Sequence, residues 1–71
     1  MDTRHVNTQL LEMAFRIREM RNICGFTEEQ MPRRTDTTVA EYRVYEAGGA
    51  DLPFTFIHKC SLAFGIGITD L

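Results

Sequence analysis

Few residues in this chain are equipped for chemistry, and most of those are cations. Seven of the eight basic side chains are arginines, and six of these fall in two groups: Arg16, Arg18 and Arg21, then Arg33, Arg34 and Arg43. A planar guanidinium grips carboxylate or phosphate with two parallel hydrogen bonds, so such groups suit ion pairing or phosphate contact. Taken singly, each is also accounted for as part of a solvated helix face. His5 and His58 are the only imidazoles, and Cys24 and Cys60 the only thiols. Their positions fit no metal-ligand spacing, no Gly-rich phosphate loop and no nucleophile–base pairing. The expectation is therefore no catalytic residue, no metal and no cofactor, with both thiols reduced and buried as small apolar groups. The net charge of −2 weighs against nucleic acid as a partner, because phosphate neutralisation requires cations. Whole-chain charge is nevertheless silent about clustering.

Helical elements must position these residues. Leu10, Met13, Ala14, Ile17, Met20 and Cys24 follow the i, i+3, i+4, i+7 rule, predicting an amphipathic first helix. Asn7 or Thr8 is placed to cap it, and Gly25 to end it. Residues 1–6 carry no pattern and read as a flexible N-terminus. Thr27 with Gln30, and Thr38 with Glu41, have the spacing of capping boxes, so two further helices are expected at about 27–34 and 38–47. Pro32 predicts that the second is short, kinked or partly 3₁₀, and Thr35-Asp36-Thr37 supplies turn chemistry between the two. The third helix is expected to bury Val39, Tyr42 and either Val44 or Tyr45. Pro53 is placed to open a fourth helix, with Phe54, Ile57, Ser61 and Phe64 recurring at helical spacing and Phe56, Cys60 and Ala63 widening the face. Ile68 to Leu71 looks like one further turn. Ile17, Met20, Tyr42, Ile57 and Phe64 are the predicted core.

Seventy-one residues bound the chain to one domain near the lower size limit for an independent core. No stretch approaches the roughly 20 apolar residues of a membrane span, and the N-terminus has no apolar signal region. The expectation is a cytoplasmic protein. Two short helices joined by a three-residue turn form a helix-turn-helix, and equally an αα-hairpin; spacing alone does not separate them.

In order along the chain stand Arg16-Ile17-Arg18 with Met20-Arg21, then Gly25-Phe26-Thr27, Glu46-Ala47-Gly48 and Phe64-Gly65-Ile66. This series resembles the phage-repressor type of helix-turn-helix, the XRE family of bacterial regulators, over about residues 13–71 without a gap. The resemblance implies a compact all-α, lambda-repressor-like domain of four or five helices over residues 7–71. It further implies sequence-specific binding of double-stranded DNA in transcription regulation, with the helix at about 38–47 in the major groove. Homodimerisation and a C-terminal sensor domain go with the same resemblance. Residue by residue, it assigns DNA contact to Thr27, Glu28, Arg33, Arg34, Thr38, Val39, Ala40 and Arg43, and a structural salt bridge to Arg21 and Glu46.

Several residues depart from the family pattern. Glu28 places a carboxylate where a neutral donor would meet phosphate. Val39 and Ala40 can touch a thymine methyl group but cannot hydrogen-bond a base edge. Residues 49–51 carry no cation, Pro32 replaces a small residue, and Asp36 stands where glycine is common. The second hypothesis is accordingly an interaction or dimerisation module that kept the fold without strong DNA binding, using Phe15 and Ile23 on the outer side of the first helix and the broad apolar face of the fourth.

Overall fold

The computed structural model describes the backbone of residues 3–71 and the side chains of residues 8–71. The first helix, α1, spans Thr3–Cys24 and is the longest at 22 residues. At 1.5 Å per residue it is a rod of about 33 Å, close to the 35 Å long dimension of the molecule. It starts before the expected Asn7 or Thr8 cap, because no glycine or proline interrupts residues 3–8. Of the segment expected to be flexible, residues 3–6 are helical, and residues 1 and 2 lie outside those described.

The second helix, α2, covers only Met31–Thr35. It begins later than the Thr27 box predicts, and Pro32 is the reason. A proline is accommodated without penalty in a first helical turn, so the helix starts just before it rather than kinking around it. Thr27 to Gln30 forms a separate turn: the Gln30 N–H donates to the Thr27 carbonyl at 3.1 Å, and the Thr27 N–H donates to Gln30 Oε1 at 2.8 Å. Half of the predicted box is thus present, outside the helix.

The third helix, α3, is Val39–Glu46, and its capping box is complete. The Glu41 N–H donates to Thr38 Oγ1 at 3.0 Å, and the Thr38 N–H donates to Glu41 Oε1 at 2.9 Å. The fourth, α4, is Phe54–Phe64 with Pro53 as its N-cap, and a 3₁₀ turn at Ile68–Asp70 follows. The described residues are all-helical, without a strand.

All four α-helices end the same way. A residue with positive φ follows each: Gly25, Asp36, Gly48 and Gly65. The amide of the next residue turns back onto the carbonyl five positions earlier, in Phe26→Arg21, Thr37→Pro32, Gly49→Val44 and Ile66→Ser61. These are Schellman-type closures that satisfy carbonyls the helix leaves open. Asp36, at φ 57° and ψ 45°, takes the left-handed position that aspartate tolerates better than most residues.

The core is Ile17, Met31, Tyr42, Phe56, Cys60, Phe64 and Leu71. Met20 and Ile57, expected within it, are half-buried at its edge. On α4 Phe56, Cys60, Ser61 and Phe64 are buried, so of the face expected to lead inward Ser61 and Phe64 are inside while Phe54 is left 71% exposed. Phe54 and Phe56 both fit helical spacing with Phe64, and only the position of α2 and α3 against α4 chooses between them. The Phe56 ring packs on Tyr42 and Tyr45, with centroids 5.9 Å and 4.7 Å away. Tyr42 is buried and Tyr45 half-buried, while Val39 and Val44 are exposed, contrary to the alternatives that put them inside. Cys60 is buried as expected; Cys24, on the last turn of α1, is exposed. The terminal 3₁₀ turn docks through Leu71, whose side chain is buried and whose carbonyl accepts from Arg16 Nη1 at 2.9 Å.

Gly48 combines two demands. Its φ is +74°, and a Cβ there would meet Leu11 Cδ2 of α1 at 2.5 Å. Gly48→Ala is expected to lower unfolding free energy by about 1–2 kcal/mol, the cost of a left-handed alanine plus displacement of Leu11. Gly49→Ala, where the nearest atom would lie at 3.4 Å, should stay within about 0.5 kcal/mol of the parent. Urea unfolding of the two variants checks the contrast.

Candidate nucleic-acid interface

The end of α3 is tied to the end of α1 by a two-pronged ion pair. Arg21 Nε donates to Glu46 Oε2 at 3.0 Å, and Arg21 Nη2 to Glu46 Oε1 at 2.9 Å. The third guanidinium nitrogen, Nη1, donates to the Phe26 carbonyl at 3.0 Å, which holds the chain as it leaves α1. The two side chains are only 10% and 8% exposed, so water does little to weaken the pair. Hydrogen bonding to Glu46 raises the Arg21 pKa further above its already high value. Arg21 and Glu46, the pair implied by the family pattern, thus meet in the strongest geometry open to them.

Tyr42 and Cys60 lie inside, within the field of the same carboxylate. The Tyr42 hydroxyl is enclosed, with no partner at hydrogen-bonding geometry. Burial first, and then Glu46, push the Tyr42 phenol well above the usual tyrosine range. The same two causes push the Cys60 thiol up to about 12. Both groups are neutral, and neither is a nucleophile or base at ordinary pH.

Outward from the fork, charges alternate. Glu28 Oε1 stands 3.9 Å from Arg21 Nη2, and its other oxygen accepts from Arg43 Nε at 3.1 Å. Arg43 Nη2 reaches Glu29 Oε1 at 3.4 Å. Glu46, Arg21, Glu28, Arg43 and Glu29 therefore form one chain linking α1, the 27–30 turn and α3. Its inner end is buried, and its outer end is in water. An open cleft beside it, lined also by Arg18, Asn22 and Ala47, exposes its edge.

The residues assigned to DNA contact divide into three groups. Thr38, Val39, Ala40 and Arg43 are exposed on the first turns of α3. Val39 and Arg43 are four residues apart and Ala40 and Arg43 three, so they share one face. Thr27 and Glu28 lie on the turn before α2, where Glu28 is engaged by Arg43. Arg34 is turned back toward the same turn: its guanidinium carbon sits 4.3 Å above the Phe26 ring, and Nη1 donates to the Gln30 carbonyl at 3.2 Å. Arg33 is exposed on α2, with no ionic or hydrogen-bonding partner among the described residues. Sequence reasoning missed Glu29 and the capture of Arg43. No periodicity signals a pair 14 or 15 residues apart across two turns. The described residues contain no group of side chains able to hold a metal ion, and no helix long and apolar enough to cross a membrane.

Compared with protein-family models, curated proteins and solved structures, the chain matches none.

Truncating Glu46 to Ala leaves Arg21 buried without its partner, and the loss of stability should be about 3–5 kcal/mol. A double-mutant cycle with Arg21→Ala, followed by urea unfolding, should return a coupling above about 1 kcal/mol. Alkaline pH tests the interior. The Cys60 thiol has its pKa raised from the ordinary 9.0 to about 12, so the unfolded chain loses that proton first. Stability is full below pH 9 and should fall as pH rises toward 12, by at most about 1.4 kcal/mol per pH unit from this group. Cys60→Ala should flatten that decline in urea midpoints measured across the alkaline range.

Proposed function

We propose that this domain binds double-stranded DNA as the reader of a bacterial transcriptional regulator, with α3 entering the major groove. The observation that carries the reading is the presentation of α3. Its first turn, through Glu41, is capped and exposed, Arg43 is exposed on the same side, and its last residue is clamped to the scaffold by a buried ion pair. A helix held rigidly at one end and offered to solvent at the other has the geometry of a recognition element. Val39 and Ala40 would lie against thymine methyl groups, and Arg33, Arg34 and Arg43 would supply backbone or base contacts. Thr27 and Thr38 offer hydroxyls to phosphate. Glu28 opposes phosphate where it stands, and so limits affinity.

The exposed apolar side chains Leu11, Phe15 and Ile23 on α1 and Phe54 and Leu62 on α4 support a second reading, an interaction module that uses this fold without strong DNA binding. The two readings part in a fluorescence-anisotropy titration of genomic DNA fragments with the full chain. With three arginines available, the slope of log affinity against log salt should be about −3. Arg33→Ala and Arg43→Ala should each weaken binding and each reduce the slope by about 0.9. Absence of binding to any fragment at low salt would leave the interaction module as the standing interpretation.

A further inference from the structure

We propose that Glu28 and Glu29 form an internal mask that occupies Arg43 in the free domain and must be displaced by a DNA phosphate before α3 can dock. The inference rests on the reading of α3 as a DNA reader and concerns how that reader is held back. Arg43 sits on the exposed face of α3 with Val39 and Ala40, where a groove-reading helix presents its cation. Its Nε and Nη2 donors are already satisfied, at 3.1 Å by Glu28 and at 3.4 Å by Glu29. Two carboxylates around one guanidinium imitate the oxygens of a phosphate, so they compete for the same fork of donors.

Exposure separates this contact from a structural bridge. The Arg43 side chain is 57% exposed, and those of Glu28 and Glu29 are 42% and 67% exposed. An exposed pair is weak and exchanges readily. The Arg21–Glu46 fork at the other end of the same charge chain is buried and does not exchange. Because Glu28 also feels Arg21 at 3.9 Å, its carboxylate keeps an attraction to the scaffold after Arg43 leaves. Release of the outer cation therefore does not require the fold to open.

Mere repulsion between Glu28 and DNA would also make a glutamine variant bind more tightly, so the decisive experiment is a cycle. Glu28→Gln/Glu29→Gln is prepared with Arg43 intact and with Arg43→Ala, and each full-length variant is titrated with labelled DNA at low salt. Masking predicts an affinity gain of roughly threefold to fivefold with Arg43 present, the strength of an exposed ion pair, and little gain once Arg43 is gone. Glu41→Gln is the charge control. It removes one negative charge from the start of α3 while the amide keeps the capping bond, and its gain should be the same with Arg43 present or replaced, unlike that of the double variant. An equal gain in both Arg43 backgrounds overturns the mask and leaves the DNA reader standing. No binding by the parent or by the unmasked variant overturns the reader and the mask together.

Discussion

The Arg21–Glu46 ion pair is the constraint on which the rest of this small structure depends. It joins the last turn of α1 to the last residue of α3 and, through the Phe26 carbonyl, fixes the path of the chain between α1 and α2. A domain of this size has little apolar surface to spend on orienting a helix as short as α3. Tyr42 is the one buried side chain of α3, and its ring contact with Phe56 sets depth more than direction. The guanidinium fork supplies direction, because two parallel hydrogen bonds fix an angle as well as a distance. Burial makes the pair strict: either partner alone would be a charge held away from water.

The same carboxylate shapes the interior. Glu46 is bonded to the guanidinium of Arg21, and its charge is felt by the Tyr42 and Cys60 side chains. It disfavours a second negative charge nearby, and burial adds to that effect. Tyr42 and Cys60 are therefore held in their neutral forms beside the Arg21–Glu46 pair.

The surface behaves differently because water weakens each of its bonds. Arg43, Arg34 and Lys59 all have partners, in Glu28 and Glu29, in Phe26 and Gln30, and in Asp36. Each is exposed enough to exchange. Counting arginines in the sequence gives the cations present, whereas the pairing gives the cations at liberty, and on this face the second number is the smaller. Acidic neighbours around α3 thus set how many of its cations are at liberty.

Local chemistry in the sequence determined much of the fold. The Thr38–Glu41 box, the left-handed positions at Gly25, Asp36, Gly48 and Gly65, and Pro53 before α4 each depend on residues within one helical turn, so they are legible without a structure. The apolar stripe of α1 and the presence of four helices follow from the same short-range rules. The pairing of Arg21 with Glu46 came from a family resemblance, since no local rule joins residues 25 apart. Tertiary packing decided what local rules left equal. It chose Phe56, Cys60 and Phe64 over Phe54 on α4, left Cys24 in water, and started α2 at Met31 once the 27–30 turn had closed on itself. It also brought Glu28 and Glu29 to Arg43. That contact depends on how the 27–30 turn is set against α3, and spacing along the chain holds no information about it.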